Sequence, residues 1–128
     1  MPKYKIIIPI DLSPQPQPFE ISAAVILARH FKSDVYFVKR ASNHKTADID
    51  ITGILWEIKS PTGDGKRNIQ HQFYRALKQS CNFVFDARRS KLHIQKITRE
   101  LEKQFSMTKN IKRLILITKT KKVIEFKK

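Results

Sequence analysis

The sequence is short of several things, and each shortage excludes a class of protein. A single cysteine, Cys81, rules out an internal disulfide and a cysteine-rich zinc site. Its apolar setting reads as a plain buried thiol, suited to a reducing compartment. Glycine is scarce, at 3 residues, and with 41% hydrophobic residues the chain is neither fibrous nor disordered. No run approaches the roughly 18 apolar residues of a membrane span. The start lacks the apolar stretch of a signal peptide, so neither a membrane location nor general secretory export is expected. The 128 residues suit one domain over 1–128, large enough to bury roughly two-thirds of its unfolded surface.

Acidic residues are the other shortage. Eleven Asp and Glu face 26 Lys and Arg, a net charge of +15, and the sequence pI is about 10.2. The imbalance is concentrated late, where residues 87–128 hold 14 basic and 3 acidic side chains. Such one-sided charge points to a polyanionic partner, nucleic acid before a membrane surface or a ribosomal role. It carries no information about catalysis.

Hydrophobic periodicity gives the order of elements. Residues 1–18 form a Pro-containing arm, because Pro9, Pro14, Pro16 and Pro18 favour extended polyproline-type chain over the strand that 4–10 would otherwise suit. Residues 19–31 read as a largely buried helix, with apolar positions at 21, 24, 25 and 28. The β-rich run 35–38 is followed by a polar loop at 39–46, then by alternating segments at 47–51 and 54–59. Between these lie Thr52 and Gly53, a two-residue connection that favours a tight hairpin. A loop at 60–65 leads to a helix over 66–80, and 82–86 (NFVFD) reads as a short buried strand. An amphipathic helix over 91–105 sets Ile94, Ile97, Leu101 and Phe105 against a basic face. Strands at 113–118 and 122–126 close the chain. The sum is an α/β protein with a mixed sheet.

The hairpin carries the chemistry. Residues two apart in a strand share a face, so Glu57 and Lys59 project together, opposite to Trp56 and Ile58. A Thr52–Gly53 turn sets Ile51 against Ile54, Asp50 against Leu55, Ile49 against Trp56 and Asp48 against Glu57. Two facing carboxylates repel unless something positive lies between them, and carboxylate oxygens with water suit Mg²⁺ or Mn²⁺. Such an ion polarises a phosphate and activates water, while Lys59 could orient the attack or offset developing charge. Asp50, on the same face as Asp48, is the rival ligand, and a one-residue slip in register would break the arrangement. Without Asp48, the pair Glu57 and Lys59 would read as an ordinary solvated face.

Asp48, the Glu57-Ile58-Lys59 triplet and the element order resemble the PD-(D/E)xK nuclease superfamily, although Ala47 stands where the motif has Pro. The resemblance implies an αβββαβ core, here over 19–86, with the basic helix and terminal strands of 87–128 added. It also implies that Glu20, on the first helix, joins Asp48 and Glu57 at the metal. The phrases ADIDITGILWEIKSP, NIQHQFYRALKQSCNFVFD and RLILITKTKKVIEF are similar to successive blocks of the C-terminal tRNase toxin domains of contact-dependent growth inhibition proteins. That likeness implies a metal-dependent tRNA endonuclease acting in the cytoplasm, delivered as a toxin fragment and restrained by an immunity protein.

Around this core, Lys66, Arg67, Arg88, Arg89 and Lys96 are candidate phosphate contacts that position without specifying sequence. Gln72 and Gln79 share a helix face with Asn68 one turn earlier, and are either substrate contacts or a solvent face. Gly63 to Lys66 lacks the spacing of a phosphate-binding loop. His30, His44, His71 and His93 lack metal-ligand spacing, and Asp86 reads as a turn residue. Two other functions fit the same residues: a DNA endonuclease, dimeric if of the junction or restriction type, and a non-enzymatic basic module that binds nucleic acid.

Overall fold

The computed structural model of the protein describes residues 4–39, 47–63, 68–77 and 80–127. Among these, the elements in chain order are β1 (Ile6–Ile7), α1 (Pro18–Phe31), β2 (Val35–Phe37), β3 (Ile49–Ile51), β4 (Ile54–Lys59), α2 (Asn68–Leu77), β5 (Asn82–Asp86), α3 (Ile94–Met107), β6 (Arg113–Ile117) and β7 (Val123–Phe126). The strands make one seven-stranded mixed sheet whose spatial order repeats the chain order. From α1 to β5 the sequence of elements is helix, three strands, helix, strand, as the αβββαβ reading expects. Strands β2, β3 and β4 run antiparallel, while β4, β5 and β6 run parallel, joined through α2 and α3.

Period-2 alternation divides the sheet's side chains between two cores. On one face Val35, Ile49, Ile51, Trp56, Ile58, Val84, Ile115 and Ile117 pack beneath Ala23, Ala24, Leu27 and Ala28 of α1. On the other, Phe83, Phe85, Leu114 and Leu116 meet Ile69 and Phe73 of α2 and Ile97, Leu101 and Phe105 of α3. Strand β5 serves both cores, which explains its unbroken apolar run Phe83-Val84-Phe85. The amphipathic stripe on α3 is buried as its periodicity predicts, leaving Lys96, Arg99 and Lys103 exposed.

Helix α1 starts with Pro at its first position, and the Glu20 carboxylate accepts the Gln17 N–H at 2.8 Å. This satisfies one orphan donor of the first turn. The far end of α1 is tied to the C-terminal edge strand. His30 Nε2 and Arg113 Nη2 each lie 2.8 Å from the Glu125 carboxylate. Burial alone would push that carboxyl up, but these two hydrogen-bonding partners outweigh it and hold Glu125 below its ordinary pKa.

The N-terminal arm needs correcting. Residues 6 and 7 pair parallel with Val35 and Tyr36 of β2, adding an edge strand where a polyproline-type arm was expected. The reason is apolar: Tyr4, Ile6, Ile8 and Leu12 all pack against the α1 core, so the segment gains more on the sheet than in solvent. Beyond the turn at Pro9, whose carbonyl accepts the Leu12 N–H at 3.1 Å, residues 12–17 do fold across the body as an arm. Of the remaining loops read from the sequence, residues 40–46 and 64–67 lie outside the described residues.

The β3–β4 register is the one the two-residue turn predicts: Ile51 pairs with Ile54, Asp50 with Leu55 and Ile49 with Trp56. Thr52 and Gly53 both have positive φ, 54° and 85°, the type I′ pattern whose twist matches the strands. Asp50 closes the turn by accepting the Gly53 N–H at 2.9 Å. A β-branched residue at positive φ is strained, whereas Asn tolerates that region. Thr52→Asn is therefore expected to stabilise the protein by about 0.5–1 kcal/mol, raising the melting temperature by roughly 2–6 °C. A lower melting temperature would mean that the 2.6 Å bond from Thr52 Oγ1 to the Ile51 carbonyl outweighs the strain.

Candidate active site

Where β3 begins and β4 ends, the ladder is irregular in a way that matters. Past the Ile49–Trp56 pair, the Asp48 N–H donates to the Trp56 carbonyl at 3.0 Å. The Ile58 N–H, deprived of a backbone partner on β3, donates to Asp48 Oδ2 at 2.9 Å. Asp48 thus caps the open end of the hairpin with its own side chain and is drawn over β4 in doing so. The carboxyl groups of Asp48 and Glu57 hydrogen-bond with each other there. The cross-strand meeting expected from the sequence occurs, through a side-chain cap rather than one more regular ladder pair.

Glu57 is 1% exposed, on the face covered by α2 and α3. Its neighbour across β5 is Phe83, and Lys59 is paired with Phe85. Lys59 Nζ reaches back along the strand to Glu57 Oε2 at 3.0 Å, so the two side chains share a face as strand periodicity requires. Burial, followed by the charge of Asp48, pushes the Glu57 carboxyl up to about 8 against the opposing pull of Lys59. Two carboxylates and one ammonium, held dry on one side, leave the site short of positive charge.

Two hard carboxylate oxygen donors side by side fit Mg²⁺ or Mn²⁺, which retain several waters and need few protein ligands. Glu20 does not join them in one cluster: among the described residues, no group of three or more His, Cys, Asp and Glu is placed to hold a metal ion. Glu20 and Asp48 instead line opposite parts of a cavity of about 190 Å³, roofed by residues 12–17 and floored by Phe37 and Val38. The Glu20 carboxylate is occupied with its helix cap. Asp50, the rival ligand, is turned to the Gly53 amide and away from Glu57. A larger cleft of about 1040 Å³ runs between α3 and β7, three strands from β4, and contains none of these side chains.

The basic residues separate into two kinds. Arg88 turns inward, contrary to the phosphate contact expected of it. Its Nε and Nη2 grip the fully buried Asp86 at 2.9 and 2.7 Å, while Nη1 and Nη2 also reach Ser22 Oγ and the Phe19 carbonyl at 2.5 and 3.0 Å. A buried carboxylate at a strand end must be neutralised, and Arg88 does this while fastening β5 to α1. Asp86 also accepts the Arg88 N–H at 3.1 Å, the turn role read from the sequence. Arg89 and Lys96 are exposed. Gln72 is half-buried on α2, while Lys66, Arg67 and Gln79 lie outside the described residues. Sequence reasoning missed the inward Arg88, although an Asp two residues before an Arg at a strand end is the pattern of such a pair.

The raised Glu57 pKa fixes a pH dependence. Folded Glu57 keeps its proton up to about 8, whereas the unfolded side chain loses it near 4.5. The stabilisation is complete below the lower value and lost as pH rises through the upper one, at up to ~1.4 kcal/mol per pH unit. In EDTA, the melting temperature of the wild type should fall more between pH 5 and pH 8 than that of Glu57→Gln. Parallel pH profiles would place the titrating group elsewhere.

Comparison with known proteins adds a family to this geometry. The family model described as the contact-dependent growth inhibition CdiA C-terminal domain matches residues 45–123, a span that includes Asp48, Glu57 and Lys59. Comparison with curated proteins finds no match. Among solved structures, a CdiA-CT/CdiI toxin and immunity complex from Burkholderia pseudomallei contains a chain of similar fold. Its TM-score is 0.67 at 19% identity, over 97% of this chain and 99% of that one. With well over half its length matched by the family and its α/β fold shared with that toxin complex, the chain belongs to the family of CdiA C-terminal domains of contact-dependent growth inhibition.

Proposed function

We propose that the protein is a toxin-type endonuclease of the PD-(D/E)xK class that hydrolyses RNA, most specifically tRNA, with a divalent cation. One observation carries the reading: buried Glu57 lies against Asp48, with the Lys59 ammonium 3.0 Å away on the same strand face. An acidic pair with a single ammonium is a poor structural device, because burying like charges is costly unless function requires it. A divalent cation held by Asp48 and Glu57 would supply the charge that polarises a phosphodiester and lowers the pKa of water.

The protein's own groups divide the remaining work. Asp48, anchored by the Ile58 N–H, is fixed without depending on a flexible loop. Glu57, held rigidly in the middle of a sheet, has no freedom to drift from it. Lys59, whose side chain is 22% exposed, sits between the buried carboxylate and solvent. From there it can donate to a non-bridging phosphate oxygen as charge builds in the transition state. The exposed cations of α3 and the excess of +15 draw the polyanion in and hold its backbone. The family supports delivery as a toxin into a neighbouring cell, with action on tRNA in the cytoplasm. An immunity protein is the natural inhibitor in this reading, since the similar solved chain is in complex with one.

The decisive experiment incubates purified protein with total tRNA and with duplex DNA, in Mg²⁺ and in EDTA, beside Asp48→Asn, Glu57→Ala and Lys59→Ala. Cleavage of tRNA in Mg²⁺ and none in EDTA is expected, with each variant slowed by at least about 100-fold. Melting curves confirm that the variants remain folded. Cleavage of DNA alone overturns the substrate and keeps the site. Intact nucleic acid bound in a salt-sensitive manner overturns the enzyme in favour of a binding module.

A further inference from the structure

Adjacent arginines at the end of β5 behave in opposite ways. Arg88 spends its guanidinium inside the fold, whereas Arg89 is exposed and yet fixed in place. Its Nε donates to Ser60 Oγ at 3.1 Å and its Nη2 to the Ser60 carbonyl at 2.7 Å. The guanidinium carbon lies 3.5 Å from the centroid of the Phe19 ring, so the plane rests on an aromatic face. Ser60 directly follows Lys59, about 3.3 Å further along the chain. The arginine is therefore seated beside the Asp48, Glu57 and Lys59 cluster, between the end of β4 and the start of α1.

A solvated surface arginine samples many rotamers and loses that freedom when it binds. Arg89 has lost it beforehand. Ser60 takes the side-on edge of the guanidinium, formed by Nε and Nη2. The end-on edge, Nη1 with the second hydrogen of Nη2, meets no acceptor among the described residues. That edge is the planar fork that matches two oxygens of a phosphate. A cation held rigid on one edge and open on the other is built to receive an anion, since the ordering cost is met before the ligand arrives.

We infer that Arg89, seated on Ser60 and Phe19, is a preorganised anchor for a backbone phosphate of the nucleic-acid substrate, next to the phosphate presented to Lys59. The inference rests on the nuclease reading and deepens it. It assigns substrate register to one side chain rather than to the diffuse positive field. Phe19 and Ser60 are positioning residues, and their effect must appear without any change in charge.

The test measures binding of fluorescently labelled total tRNA in EDTA over a range of salt, together with cleavage in Mg²⁺. The set is wild type, Arg89→Ala, Arg89→Lys, Phe19→Leu and Lys5→Ala, the last removing an exposed cation near the far end of α1. Arg89→Ala should weaken binding about tenfold and reduce the slope of log affinity against log salt by roughly one. Its KM should rise more than its kcat falls. Arg89→Lys should restore the slope but stay several-fold weak. Phe19→Leu should weaken binding a few-fold with the slope unchanged, and Lys5→Ala should leave affinity near wild type. Equal losses in Arg89→Ala and Lys5→Ala, or full recovery in Arg89→Lys, would reduce Arg89 to part of the general field and overturn the anchor. If the wild type binds with this pattern but cuts nothing, the nuclease reading falls and the anchor stands. If it cuts and Arg89→Ala is indistinguishable from it, the anchor falls and the nuclease reading stands.

Discussion

The structure depends most on the register of one hairpin. Two residues, Thr52 and Gly53, hold the positive φ values that reverse the chain, and everything that concerns the acidic cluster follows from where they put the strands. Because side chains alternate with a period of two, a slip by one residue would exchange Asp48 and Asp50 for Ile49 and Ile51 on each face. The apolar residues resist this, since Ile49, Ile51 and Trp56 are almost entirely enclosed beneath α1. The core that stabilises the hairpin thus also specifies which carboxylate meets Glu57.

That enclosure has an electrostatic cost, and the surroundings show how it is limited. Glu57 gives up its charge over much of the pH range, Lys59 approaches it along the strand, and Asp48 takes a backbone N–H that the hairpin would otherwise leave unpaired. Asp86 and Arg88 solve a similar problem differently. There the buried carboxylate has a full complement of donors, and the arginine ties a helix to the sheet while supplying them. One acidic centre is closed on itself and structural; the other is incompletely balanced and faces a cavity. The contrast separates the candidate site from the fold that carries it.

Much of this was legible in the residues. The period-2 pattern of 47–59 with a two-residue turn gave the hairpin and three of its pairings, and the stripe on α3 gave both its buried and basic faces. The meeting of Asp48 with Glu57 was legible as a neighbourhood, but not as a cap on Ile58, because local hydrogen bonds at a strand end leave no periodic trace. The strand at Ile6–Ile7 was obscured by the prolines that follow it, since its pairing depends on contacts with a helix and a strand far along the chain. Arg88 was misjudged for a related reason. Net charge counts side chains and is silent on their direction, so a guanidinium buried against Asp86 and one held open on Phe19 contribute the same unit to it.

The spatial order of the strands, identical to their order along the chain, bears on how the molecule comes to exist. In many α/β sheets a late strand must be wedged between two that have already paired, so nothing near the centre is final until the chain is complete. Here each new strand joins the exposed margin left by its predecessor, with any helix between them laid over the seam. Growth by accretion keeps loop closures short and the search for partners local, conditions that favour rapid folding. A polypeptide emerging end first from a narrow passage, whether a ribosomal tunnel or another conduit, can therefore begin to assemble its sheet before the remainder has arrived.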